Sequence, residues 1–256
     1  MVMNHALYGH GPVRAILLHG WFGDAHCFQP MLRGFDPERF CFASMDFRGY
    51  GAAKSSEGPF DLNTVASDAI ALVDSLGWNE FAVVGHSMGG KAALLTTTLA
   101  TKRVTRLCGI TPVWAAPAPF DAETLRFFRT AAEQVSVRQA IIHNTAGGRL
   151  TSYWSGSVAA RSMETCSSRA FAEYFEAWAL SDFEERATRL DNETLVVVGA
   201  HDQGIPEPFV RETWLRSLPN ARLSVLPESG HYPMDECPLM LASILSEFLD
   251  PRSKDM

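Results

Sequence analysis

The sequence predicts an α/β fold, with a mostly parallel central sheet flanked by helices and one helical insertion. Two observations carry this expectation. Short apolar, β-branched runs alternate with longer stretches of helical period, the pattern of strand–helix–strand units whose sheet is covered on both faces. One long stretch, residues 112–189, interrupts that alternation with helices and aromatic residues alone. The composition, 46% hydrophobic and 20% charged over 256 residues, excludes a disordered, fibrous or coiled-coil chain.

Taken in order, Val13 to Leu18 is the first buried-strand run and ends in His19-Gly20, and Cys41 to Met45 repeats the pattern before Asp46. Over 62–76, Leu62, Val65, Ala66, Ala69, Ile70, Leu72, Val73 and Leu76 lie near one helical face, and Gly77 stands where a helix C-terminus favours positive φ. Phe81 to Val84 follows as a strand, then a glycine-rich turn, the apolar helix Lys91 to Leu99, and the strand Leu107 to Ile110. Inside the insertion, Thr124 to Val135 and Arg169 to Leu180 read as helices. Strand runs return at Thr194 to Val198 and Arg222 to Leu226, and a helix from Pro238 to Leu249 closes the pattern. The expected division is a core of residues 1–111 and 190–256 with a helical cap over 112–189.

Charge and cysteine usage narrow the function classes. With 22 Lys+Arg against 29 Asp+Glu, a net charge of −7, no surplus of cations exists to neutralise phosphates, which argues against nucleic acid. No apolar run approaches the roughly 20 residues of a membrane span. Met1 to His10 lacks the charged and apolar regions of a signal peptide, so a cytoplasmic address is expected. Five scattered cysteines without a Cys-x-x-Cys pair signal neither a disulfide framework nor a zinc site. No metal or cofactor is expected, and no heptad or self-complementary edge speaks to oligomeric state.

The most informative residues are Gly85-His86-Ser87-Met88-Gly89-Gly90, set between the strand and the helix that follow from the patterning. A G-x-S-x-G turn strains its central residue and lifts the serine hydroxyl clear of the sheet at the start of a helix. A phosphate cradle is the alternative, but neither G-x-G-x-x-G nor Gly-Lys-Ser/Thr is present, since Lys91 precedes Ala92. A serine nucleophile needs a base and a third group that holds the base in one tautomer. Among eight histidines, His231 lies in the loop after the last strand and is the expected base. His19 and His86 sit in turns that they are expected to brace, and His143 falls in the insertion. Asp202 follows the penultimate strand, where catalytic groups of parallel sheets gather, and is the expected acid ahead of Asp121. An oxyanion needs preorganised N–H donors; the amides of Met88 and Trp21 are the candidates, with Phe22 second to Trp21.

LLHGWFGD, MDFRGYG, VVGHSMGG, GAHD and SGHYPMDECP occur in this order, and with them the chain resembles the small, esterase-like serine hydrolases of the α/β-hydrolase superfamily over essentially its whole length. The resemblance implies Ser87 as nucleophile, His231 as base, Asp202 as acid, and the Trp21 and Met88 amides as oxyanion hole. Asp46 and Arg48 correspond to a loop that ties turns together. The chain ahead of Val13 is short, so the family's N-terminal hairpin is expected to be abbreviated.

The resulting expectation is a cofactor-free enzyme that cleaves a carboxylic ester of a small, largely apolar substrate through an acyl-enzyme. Lactones, thioesters, C–C bonds and perhydrolysis stand as alternatives within the same machinery, and a small-molecule receptor with vestigial turnover is the alternative outside it. The candidate pocket walls are Phe22, Trp114, Phe127, Phe128, His143, Tyr153, Trp154 and Trp178. No arginine cluster suggests an anionic substrate, which leaves Arg149 or Arg161 as single cations.

Overall fold

A computed structural model describes residues 4–250. The N-terminal reading at residues 1–3 and the core boundary at 251–256 lie outside these residues. Among the described residues, seven strands form one sheet in the order β1-β3-β2-β4-β5-β6-β7. They are β1 (His5–Gly9), β2 (Val13–Leu18), β3 (Phe40–Met45), β4 (Phe81–His86), β5 (Val104–Ile110), β6 (Thr194–Gly199) and β7 (Ala221–Leu226). Only β1 runs antiparallel, pairing His5 with Met45 through Gly9 with Cys41; every other pairing is parallel.

Both sheet faces are covered, which is why the strands read as continuous apolar runs rather than alternating ones. Ile16, Leu18, Val83, Leu107, Val196 and Val198 feed one core. Their neighbours Ala15, Leu17, Val84, Cys108, Leu195 and Val197 feed the other. Ahead of Val13 the described residues hold β1, an edge strand with no buried residue.

Helix α1 (Leu62–Ser75) is capped by Asp61, whose side chain accepts from Thr64 N–H, and α2 (Met88–Leu99) packs beside it. Between β5 and β6 lie α3 (Ala122–Thr130), α4 (Val135–Thr145), α5 (Ser152–Thr165) and α6 (Ser168–Leu180). The expected helix Thr124 to Val135 is in fact split: α3 ends at Thr130 and α4 starts at Val135. The segment between β5 and β6 also holds α5, which the sequence pattern does not announce. Helix α7 (Pro238–Leu249) covers the second core.

Polar side chains stitch the connections. Asp46 accepts from Ala25 N–H at 2.8 Å and Ala52 N–H at 3.0 Å, while Arg48 makes a two-pronged pair with Asp68 at 2.7 and 2.9 Å. Asp121 caps α3 by accepting from Thr124 N–H at 2.7 Å, which removes it as a rival acid. Lys91, wholly buried in α2, donates to the carbonyls of Ala116, Trp178 and Ser181 at 2.9, 3.0 and 2.7 Å, and so ties α2 to the β5–β6 segment. Burial pulls its ammonium down to about 7, against the opposing pull of Asp182.

Candidate active site

Ser87 sits on the turn between β4 and α2 with φ +53° and ψ −115°. This left-handed conformation is costly for a residue with a Cβ, at about 1–3 kcal/mol, and persists only where surroundings enforce it. Here Ser87 N–H donates to Ile110 C=O at 3.0 Å, and Ser87 C=O accepts from Gly90 and Val113. The flanking glycines are needed for close approach. A Cβ on Gly85 would lie 2.0 Å from Gly89 O, and one on Gly89 would lie 2.1 Å from Leu18 O.

The three residues expected to act together stand in series. Ser87 Oγ is 3.0 Å from His231 Nε2, and His231 Nδ1 is 2.7 Å from Asp202 Oδ2. A carboxylate can only accept, so Nδ1 carries the proton and Nε2 is left as the acceptor for the serine hydroxyl. Asp202 is 2% exposed, and its other oxygen accepts from Gly204 N–H at 2.7 Å and Ile205 N–H at 2.9 Å. Its orientation is therefore set before the histidine is considered.

His19 and His86 brace the surroundings. His86 Nε2–H donates to His231 C=O at 2.8 Å, and Thr111 Oγ1 donates to the same carbonyl at 3.1 Å. His19 Nε2 accepts from Phe47 N–H at 3.2 Å, so its Nδ1–H donates to Gly20 C=O at 2.8 Å. That carbonyl belongs to the peptide whose N–H is Trp21's. Burial pulls both imidazoles below their ordinary value, more strongly for His86. Trp21 itself is fixed by its indole N–H to Phe171 C=O at 2.8 Å, by stacking on Phe171, and by Tyr50 Oη–H donating to its carbonyl at 2.9 Å.

Ser87 and His231 open onto a cavity of about 390 Å³. Its apolar wall includes Val113, Phe120, Phe128, Ile141, Trp178 and Ile205, and its rim carries Asp24, His26, Arg33, Arg161 and Asp235. Asp24 is buried and accepts from Arg161 at 2.8 Å and from His26 N–H at 2.8 Å, which together hold its carboxyl below the usual range. At Asp235, also on the cavity, desolvation and the Glu236 carboxylate push the carboxyl up to about 6.

Of the predicted pocket residues, Phe22, Phe128 and Trp178 line this cavity, as do Trp21 and Arg161. Five do not, and each has a physical reason. Trp114 is buried against Trp214, with its indole N–H donating to Glu184 at 2.6 Å. Phe127 is 45% and Tyr153 85% exposed, on the outer faces of α3 and α5. Trp154 packs edge-on against Tyr232, one layer behind the wall. His143 is half-buried in α4 beside Gly148. Arg149 is likewise outside the cavity and pairs with Glu228. The apolar lining residues Val113 and Ile205, and the rim pair Asp24–Arg161, carry no distinguishing sequence signal except that Asp24 closes the HGWFGD loop.

A strained serine on a strand-to-helix turn, in line with a histidine and an aspartate at the carboxyl edge of a parallel sheet, defines the hydrolase class of α/β proteins. The sequence profile of the alpha/beta hydrolase family matches residues 15–244, and the chain belongs to that family. It is similar to a serine hydrolase-like protein of Homo sapiens, 36% identical over 77 residues, which are 29% of this chain and 37% of that protein. It is also similar to a putative esterase/lipase of Haemophilus influenzae, 32% identical over 106 residues, 41% of this chain and 35% of that one. The chain thus matches little more than a third of the length of either curated relative. Among solved structures, an esterase from Exiguobacterium antarcticum superposes with a TM-score of 0.84 at 20% identity, covering 96% and 95% of the two chains; this shows the fold. No helix among the described residues is long and apolar enough to cross a membrane.

Proposed function

We propose that the protein is a serine hydrolase that cleaves carboxylic esters of small, largely apolar substrates, with residues 112–189 serving as a cap over the site. The observation that carries this reading is the continuous relay Ser87–His231–Asp202, at 3.0 and 2.7 Å, opening onto an apolar cavity. The local likeness to a putative esterase/lipase supports it.

In the first half-reaction His231 Nε2 takes the Ser87 proton as Oγ attacks the ester carbonyl, and Asp202 holds the resulting imidazolium. The N–H groups of Trp21 and Met88 meet the developing oxyanion. The Met88 amide opens α2, where a helix has no carbonyl of its own to offer, and His19 fixes the plane of the Gly20–Trp21 peptide from its carbonyl side. Donors of this kind contribute about 3–4 kcal/mol each in the transition state. Collapse transfers the His231 proton to the departing alcohol, leaving an acyl group on Ser87. Water, deprotonated by the same imidazole, then releases the acid and restores Ser87.

The deciding experiment compares wild type with Ser87→Ala on nitrophenyl esters of increasing acyl length, beside lactones and thioesters, and adds a fluorophosphonate probe. Turnover and labelling by wild type with loss of at least about 10³-fold in the variant is the expected result. Each methylene accommodated by the apolar wall raises kcat/KM about fourfold, from ~0.8 kcal/mol of burial. A wild type that neither turns over nor labels points instead to a binding protein, and a Ser87→Ala variant of undiminished activity removes the nucleophile from its role.

A further inference from the structure

We infer that Glu236 is a positioning residue for His231, a carboxylate clamp that straddles the base. The inference rests on the serine-hydrolase reading above and concerns a residue that performs none of its proton or acyl transfers.

Glu236 ends the one-turn helix Pro233–Glu236 directly after the His231 loop. Its two oxygens take the N–H groups of the residues before and after the histidine: Gly230 N–H donates to Oε2 at 2.8 Å and Tyr232 N–H to Oε1 at 3.0 Å. The side chain is 1% exposed, so water cannot replace it at either point. Both oxygens act as acceptors, which is the behaviour of the ionised form. The balancing charge comes from Arg149, between α4 and α5, whose Nη1 lies 3.8 Å from Oε2 while the same guanidinium binds the Glu228 carbonyl and carboxylate at 3.2 Å.

The carbonyl of His231 is already held by His86 and Thr111. Those two bonds fix one point of the residue and leave the loop able to pivot about it. The clamp supplies a second and third point, and with all three in place the ring can reach Asp202 with Nδ1 and Ser87 with Nε2 at once. Main-chain contacts add to this on both sides, His201 N–H donating to Ser229 C=O and Asp235 and Glu236 N–H to Tyr232 C=O, each at 2.9 Å, but none of them takes the N–H of Gly230 or Tyr232. Glu228 is the natural control. It draws on the same arginine, is 78% exposed, and touches neither peptide flanking His231.

The test measures steady-state kinetics and the rate of fluorophosphonate labelling at Ser87 for wild type, Glu236→Gln and Glu228→Gln. Glutamine keeps the shape but offers an acceptor to only one of the two N–H groups. Glu236→Gln is expected to lower kcat and the labelling rate together by about 10- to 100-fold, the effect of displacing a reacting group by up to about 1 Å, with KM held within about twofold. Glu228→Gln is expected to match wild type. The proton NMR signal of His231 Nδ1–H should broaden or shift in Glu236→Gln and stay in place in Glu228→Gln. If Glu236→Gln does not fold, hydrogen exchange on wild type decides: slow exchange of the Gly230 and Tyr232 amides supports the clamp, and fast exchange overturns it. An active wild type with an unchanged kcat in Glu236→Gln also overturns it. An inert wild type instead sinks the hydrolase reading, and this role with it.

Discussion

Replacing Asp202 by asparagine should silence the site without unfolding it, because the structure dictates which way the new amide faces. Oδ1 of Asp202 accepts two backbone N–H groups, from Gly204 and Ile205 at 2.7 and 2.9 Å, and while Asp202 is buried both of these bonds are only partly so. An asparagine that keeps its oxygen on those donors turns its NH₂ toward His231 Nδ1. The imidazole must then accept at Nδ1 and carry its proton on Nε2, facing Ser87, where a base is required. The opposite orientation restores the tautomer but leaves two partly buried N–H groups facing an NH₂, at about 1 kcal/mol each. The resulting preference of about 2 kcal/mol for the unproductive orientation corresponds to a loss of roughly 30-fold. The same replacement in serine proteases costs about 10⁴-fold. Initial rates on a nitrophenyl ester, with circular dichroism to show an intact fold, measure the effect. A loss smaller than about fivefold would mean that the aspartate does not set the tautomer, and the relay argument fails.

Two further outcomes follow from buried charges. Lys91→Met removes the donor that faces three carbonyls, so urea unfolding at pH 9, where the neutral amine of the folded protein keeps two N–H groups, should show a loss of about 2 kcal/mol at ~1 kcal/mol per hydrogen bond. Because the lysine falls from 10.5 to about 7 on folding, the unfolded chain holds a proton that the folded one has released between those values. Wild-type stability should therefore gain from this residue as pH rises from 7 toward 10.5, and the gain should be missing in the variant. Arg161→Ala strips Asp24 of its half-exposed partner, with an expected cost of about 1 kcal/mol. The Asp24 carboxyl is held below its ordinary 3.8, so its contribution is complete above that value and disappears as pH falls through the depressed one. Thermal melts should show a gap between wild type and Arg161→Ala at pH 7 and 5 that closes toward pH 3; a constant gap would contradict the pairing.

Strands β2 to β7 and the Ser87 turn were legible because they depend on local pattern: a buried strand needs a continuous apolar run, and a strained turn needs small neighbours. His231 and Asp202 were legible from chain order and their place after the last two strands, whereas β1, an edge strand with no buried residue, had no apolar run to announce it. The limits are equally physical. Helix α5 is built on Ser155, Ala159 and Ser162 as its buried stripe, and the two serine hydroxyls donate back to Ser152 and Ala159 carbonyls. Residues that read as loop formers become core once their polarity is satisfied within the helix. The break between α3 and α4 was hidden because the residues that span it, Ala131, Ala132, Glu133 and Gln134, are all good helix formers. Pocket walls were the least readable. Phe127 and Phe128 are adjacent in sequence, yet one faces outward and the other the cavity, and which does so depends on how α3 lies against α6. The clamp at Glu236 was missed because a glutamate five residues after a histidine has no pattern of its own.

The hydrogen bond between residues 87 and 231 spans 144 positions, and this has a consequence for the chain during synthesis. At about 5–20 residues per second, roughly 7–29 s separate the emergence of the serine from that of its base. A nascent or stalled polypeptide that already holds six of the seven strands still lacks the proposed base. On the proposed reading its Ser87 hydroxyl is inert toward any ester encountered before assembly is complete, and a proteolytic cut that releases the last strand and the loop after it would return it to that state.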